Sequence, residues 1–153
     1  DVVVGAVGGG GLLSGVASAV RARKPDTRII AAEPETAAPL DTSLRNGRAS
    51  VFDGWRASFV DGAGGKSVLP TMWPLLSTLV DQSIVVPLNE IADAMQLVAE
   101  RCHVIAEGAG ACAVAAALTG RIRGRIVAIV SGGNIDLSTF AALVGACGKG
   151  REL

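Results

Sequence analysis

Val2-Val3-Val4-Gly5-Ala6-Val7-Gly8-Gly9-Gly10-Gly11-Leu12-Leu13-Ser14-Gly15 opens this 153-residue chain and sets its architecture. An uninterrupted apolar run enters four adjacent glycines and leaves them as an amphipathic segment. From Leu12 to Lys24 the residues Leu13, Val16, Ala17 and Val20 form a helical stripe, with Arg21, Arg23 and Lys24 at the end where a helix dipole is negative. Pro25 stops that helix, and Thr27 to Glu33 is a short β-rich stretch. The opening unit is therefore strand, loop, helix, strand, a βαβ crossover if the two strands share a sheet. Each glycine in an ordered element costs roughly 0.5–1 kcal/mol relative to alanine, so four together point to a need for amides without side chains. A turn of such amides, leading into the positive end of a helix, is suited to a phosphate.

The pattern continues along the chain. Residues 36–46 read as a helix, and Gly47 to Lys66 as a loop or lid across the rim of the domain. Leu69 to Leu79 reads as a helix in which Pro74 marks a break or kink. Gln82 to Val86 is a strand ending at Pro87, and Asn89 caps a helix whose stripe runs Ile91, Met95, Val98, Cys102 and Ile105. Glu107 to Leu118 is a helix of small residues able to approach its neighbours closely. Arg125 to Val130 is a nearly continuous apolar strand, Ser131-Gly132-Gly133-Asn134 a second sharp turn, and Asp136 to Val144 a last helix. Apolar strands alternating with helices give an α/β fold, an open, mostly parallel sheet with helices on both faces. Because Asp1 leads straight into a strand, the chain is expected to begin partway through a larger domain, with the edge at residues 1–7 paired or covered by polypeptide outside this numbering.

Composition narrows the function classes. Fourteen basic residues balance fourteen acidic ones without a basic block, and the few aromatic residues do not alternate with cations, which argues against nucleic acid. Trp55 and Trp73 are expected to pack rather than to stack on a cation or a base. Cys102, Cys112 and Cys147 have no CxxC spacing and read as reduced, mostly buried thiols of a cytoplasmic protein. No apolar stretch approaches the ~18 residues of a membrane span, and no signal peptide opens the chain.

In an open α/β sheet the loops at the carboxyl ends of the strands converge on the ligand crevice, which is where both glycine turns fall. The first turn suits a phosphate; the second presents Ser131, whose hydroxyl can bond a heterocycle nitrogen or cap the following helix. Gly9, Gly11 and Gly15 with Glu33 also fit a loose dinucleotide pattern, although Ser14 stands where the stricter pattern needs glycine. An NAD(P)-binding oxidoreductase fragment and a non-catalytic regulatory domain therefore stay open at this point.

Five ordered segments make a more specific resemblance. Val7-Gly8-Gly9-Gly10-Gly11-Leu12, Ala32-Glu33-Pro34, Asp61-Gly62, Ala106-Glu107-Gly108-Ala109-Gly110-Ala111 and Ser131-Gly132-Gly133-Asn134-Ile135-Asp136 resemble the signatures of the threonine/serine dehydratase family, which includes serine racemases. Those are pyridoxal-phosphate enzymes of fold type II, and the resemblance covers essentially the whole chain. It implies that residues 1–153 are the C-terminal portion of the large pyridoxal phosphate-binding domain, the upstream half with the Schiff-base lysine being absent. It also implies β-elimination of L-threonine or L-serine to a 2-oxo acid and ammonia in the complete protein, with serine racemization or another fold-type-II reaction as the alternative.

The same resemblance implies roles for single residues. The amides around Gly8, Gly9, Gly10, Gly11 and Leu12 would form the phosphate cup, Ser131 would face the pyridine nitrogen, and Gly62 and Glu107 would line the ring. No catalytic residue is expected within the chain: Lys24, Lys66 and Lys149 read as surface residues, so the chain alone is expected to be inactive. Some relatives hold a divalent cation at positions matching Glu33, Ala37 and Pro39. Proline offers no side-chain oxygen, so only Glu33 and the Ala37 carbonyl remain as weak ligands unless Asp41 or water substitutes. The implied partners are a small amino-acid substrate, the missing N-terminal half and a second copy in a homodimer. Asn134 matches a position near a nucleotide effector in racemase relatives but equally suits a local turn, and His103 reads as a structural residue.

Overall fold

A computed structural model describes residues 1–147; Lys149 and the side chain of Cys147 lie outside the described part. Four strands, β1 (Val2–Ala6), β2 (Arg28–Pro34), β3 (Gln82–Val86) and β4 (Ile126–Ala128), form one parallel sheet in the order β3-β2-β1-β4. Among the described residues six α-helices cover it: α1 (Gly11–Arg23), α2 (Pro39–Asn46), α3 (Trp73–Leu79), α4 (Leu88–Cys102), α5 (Gly108–Leu118) and α6 (Leu137–Cys147).

Strand alternation divides the apolar residues between two cores. Val2, Val4 and Ala6 of β1 join Ile30, Ala32, Ile84 and Val86 against α4, α5 and α6. Val3 and Val7 join Ile29 and Ala31 on the other face, against Leu13 and Ala17 of α1, Leu40 of α2 and Leu76 of α3. Helices therefore lie on both faces, as the sequence predicts. Among the described residues no helix is long and apolar enough to cross a membrane.

Several expectations change. Residues 1–7 are not an edge awaiting polypeptide from outside: β1 is central, paired with β2 on one side and β4 on the other. The stripe in α4 stops at Cys102, because His103 takes a left-handed conformation (φ 55°) and closes the helix, leaving Ile105 outside it and 43 % exposed. Cys102 is exposed, since it follows the last buried turn of α4; Cys112 is buried among the small residues of α5, and burial pushes its thiol up to about 12. The helix expected over 69–79 starts only at Trp73, so Pro74 marks its beginning rather than a kink, the ring sitting in the first turn, where no amide is needed. Strand β4 is shorter than its apolar run suggests, with Val127 56 % exposed.

Glu33, at the carboxyl end of β2, is wholly buried. Its Oε1 accepts the Leu40 amide at 2.8 Å, and its Oε2 accepts the Asp41 amide at 2.8 Å and the Ser83 hydroxyl at 2.6 Å. The carboxyl thus caps α2 and ties it to β2 and β3. This corrects the expectations placed on it. A ribose cannot reach it, and its oxygens already serve the helix rather than a cation. Ala37 is buried too, its amide bonded to the Pro34 carbonyl at 2.9 Å. No group of three His, Cys, Asp or Glu side chains among the described residues could hold a metal.

Burial outweighs the three donors and raises the Glu33 carboxyl from 4.5 to about 7. The folded chain then binds this proton more tightly than the unfolded one. Its contribution to stability is full below pH 4.5 and is lost as pH rises through 7. Between pH 5 and pH 8 the folded state should lose up to about 3 kcal/mol from this group, seen as a falling denaturant midpoint. Glu33→Gln should flatten that pH dependence; an unchanged slope would assign it elsewhere.

Candidate functional site

Strand order reverses beside β1: the chain moves outward through β2 and β3, then returns to place β4 on the other side. Such a switch point opens a crevice at the carboxyl ends, between the loops that leave the two strands. Here those loops are the Gly8–Gly11 turn after β1 and the Ser131–Gly132 turn after β4. They line one cavity of about 210 Å³ together with Leu12, Gly62, Glu107 and Ala109. Thus all eight residues expected to contact a cofactor, Gly8, Gly9, Gly10, Gly11, Leu12, Gly62, Glu107 and Ser131, come together there.

The glycines of the first turn have two different reasons. A Cβ on Gly8 would overlap the Gly62 carbonyl, so this position lets the rim segment, a 3-10 turn at Asp61–Ala63, touch the end of β1. A Cβ on Gly9 or Gly11 would meet nothing within 4 Å. Those two face open space at the start of α1, where the first helical hydrogen bond is Ser14 N–H to Gly10 O at 3.0 Å. The amides of Gly11, Leu12 and Leu13 therefore precede the ladder and, with the helix dipole, form a seat for an anion.

Glu107 fixes the opposite wall. It is the residue before α5, its amide donates to the Gly132 carbonyl at 3.3 Å, and its carbonyl accepts the Ala111 amide at 3.0 Å. Its carboxylate reaches between the two loops: a Cβ on Gly132 would overlap Oε1, and one on Gly62 would lie 3.3 Å from it. Gly110 completes the fit, since a Cβ there would stand 2.5 Å from the Ser131 carbonyl oxygen. The small residues of α5 thus let the helix reach the Ser131 turn backbone to backbone. Ser131 lines the cavity, and its hydroxyl has no hydrogen-bond partner among the described residues. Asn134 is exposed, and the cavity wall does not include it.

A second cavity of about 420 Å³ shares Gly8, Gly9 and Gly62 with the first and adds Asp61 and Lys66. Lys66 Nζ lies 4.1 Å from the centre of the Trp55 ring, whose Nε1–H donates to the Gly64 carbonyl at 2.8 Å. Trp55 is therefore a platform for a cation, against the expectation of simple packing; the signal lay in two residues eleven positions apart in a segment without periodicity. Lys24 lies at the far end of the sheet, and His103 closes α4.

Comparison with known proteins gives the same reading from outside. Residues 1–132 match the family described as pyridoxal-phosphate dependent enzyme. An L-threonine ammonia-lyase of Thermotoga maritima is 39 % identical over 157 residues, covering 100 % of this chain and 39 % of that protein. A serine racemase of Oryza sativa subsp. indica is 38 % identical over 155 residues, covering 92 % of this chain and 43 % of the relative. The structure of maize serine racemase superposes with a TM-score of 0.84 at 35 % identity, covering 95 % of this chain and 48 % of that one. The chain thus spans less than half the length of these relatives.

Gly9→Val should leave the melting temperature nearly unchanged, because the added methyls enter open space, yet abolish anion retention at the turn. Gly110→Ala should instead destabilise the fold by about 1–3 kcal/mol, since neither backbone can yield. Thermal unfolding of both variants, with and without phosphate, separates the two roles.

Proposed function

Since the chain belongs to the pyridoxal-phosphate dependent enzymes, we propose that it supplies the phosphate seat and ring contact of an enzyme converting L-threonine or L-serine to the 2-oxo acid and ammonia. The observation that carries this reading is the meeting, in one small cavity, of a helix-start glycine turn and a serine whose hydroxyl has no partner among the described residues. The bound group would supply an electron sink for charge left at the substrate α-carbon.

The chain's own residues then have defined work. The amides of Gly11 and Leu12 hold the phosphate against the positive end of α1. Ser131 offers the ring nitrogen a neutral hydroxyl, which does not enforce its protonation as a carboxylate would; the sink stays moderate and favours prompt departure of the β-hydroxyl. Glu107, wedged between Gly62 and Gly132, keeps the ring's surroundings in register. Loss of the α-proton and β-hydroxyl leaves an enamine, which water converts to the 2-oxo acid and ammonia. The α-proton acceptor is a lysine supplied by polypeptide outside residues 1–153. Among the described lysines, Lys24 is at the opposite end of the sheet and Lys66 is held over Trp55.

Racemization is the second reading, favoured by the near-equal likeness to a rice serine racemase and to a bacterial threonine ammonia-lyase. The two reactions share loss of the α-proton and diverge at the next step: departure of the β-hydroxyl, or return of a proton to the other face.

The test is an assay of 2-oxo acid and ammonia on the full-length protein with both amino acids, together with chiral analysis of residual serine. Oxo acid from either substrate supports elimination, whereas D-serine as the main product selects racemization. Ser131→Ala should keep the cofactor's absorbance and lower kcat by up to about tenfold, the loss of one hydrogen bond between neutral groups. Residues 1–153 alone should show no turnover, and activity there would overturn the external lysine.

A further inference from the structure

The chain is neutral overall, with fourteen cations and fourteen carboxylates, but the charges are unevenly placed. At the amino ends of the strands, opposite the glycine turns, Arg23, Lys24, Arg28, Arg123 and Arg125 line one cavity of about 590 Å³ in which Asp1 and Asp26 are the acids. The cations come from three separate segments: the end of α1 with its following turn, the start of β2, and the approach to β4. A helix dipole accounts for Arg23 at the end of α1. It does not account for the arginines brought in by the strands.

The sheet ladder holds these segments together. Val2 is in register with Arg28 on one side and Ile126 on the other. The Arg28 amide donates to the Asp1 carbonyl at 3.1 Å, the Val2 amide to the Arg125 carbonyl at 3.1 Å, and the Thr27 amide to the Lys24 carbonyl at 3.1 Å. The cations therefore project from fixed backbone. Their neutralisation is incomplete. Asp1 pairs with Arg125 at 3.3 Å and also accepts the Arg125 amide at 3.0 Å, while Arg28 reaches only the neutral Gln82 Oε1 at 3.3 Å. Arg23, Lys24 and Arg123 have no carboxylate partner among the described residues.

We propose that this cavity binds a small multivalent anion carrying phosphate groups. Guanidinium groups offer paired N–H donors matched to phosphate oxygens, and several charges converging on a concave wall strengthen one another's pull on a multivalent ion. The site is independent of the glycine turn, because β1 separates the two by about 17 Å at the rise of an extended chain.

The test uses the full-length protein saturated with pyridoxal phosphate, so that the glycine turn is filled, and calorimetric titration with inorganic tripolyphosphate at low ionic strength. The wild type should bind one equivalent saturably, without change in cofactor absorbance. The double variant Arg23→Gln, Arg123→Gln should bind at least about tenfold more weakly, whereas Arg101→Gln, an exposed arginine on α4, should stay within about twofold. Absence of saturable binding by the loaded wild type would overturn the proposal. So would undiminished affinity in the double variant, or an equal loss in Arg101→Gln, which would mark a diffuse charge effect.

Discussion

Four segments far apart in sequence meet in this protein with almost no side chain between them. The rim turn at Gly62 touches the end of β1 at Gly8, the start of α5 touches the Ser131 turn at Gly110, and Glu107 fills the space that a side chain on Gly132 would take. Backbone cannot be repacked as side chains can, so each approach fixes its neighbours closely. The cavity exists because these contacts hold its walls at one separation. Remove the approach at Gly110 and the hydroxyl of Ser131 moves relative to the glycine turn, while every apolar contact of the two cores stays available.

Much of the fold can be read from residue patterns, since each strand buried on both faces leaves a run such as Val2-Val3-Val4 and each helix leaves a stripe such as Leu13, Ala17 and Val20. Strand order is another matter. Whether β1 is an edge or a centre depends on where β4 docks, and nothing local to Ile126–Ala128 states which neighbour it takes. The apolar run 125–130 also overstates its strand, because β4 ends at Ala128 and Val127 and Val130 are exposed among the described residues. His103 hid the end of α4: histidine enters the left-handed region more readily than most residues with a side chain, but far less often than glycine, so its presence alone does not mark a helix end.

The candidate site was legible for a related reason. Its members are glycines and a serine at strand ends, residue types whose presence there carries a cost and so a cause. Glu33 was legible as unusual but not in its role, because a carboxylate after a strand suits a ribose, a cation or a helix cap equally well. The distances from Leu40, Asp41 and Ser83 decide for the cap. The Lys66–Trp55 pair left no pattern, since a cation over a ring is a matter of loop path alone.

The central place of β1 bears on how the molecule assembles. One of its ladders closes with β2 across a single helix, a local event. The other must wait for β4, whose partner residues lie 124 positions along the chain. Loop-closure entropy grows only slowly with such a span, but the rate of forming distant parallel pairings falls steeply with it. During synthesis β1 emerges before β4 and lacks that partner until the elements between them, β2 to α5, have been made. The crevice between β1 and β4 consequently cannot close until every element lying between them in sequence is in place, so the ligand seat depends on the most distant pairing in the sheet.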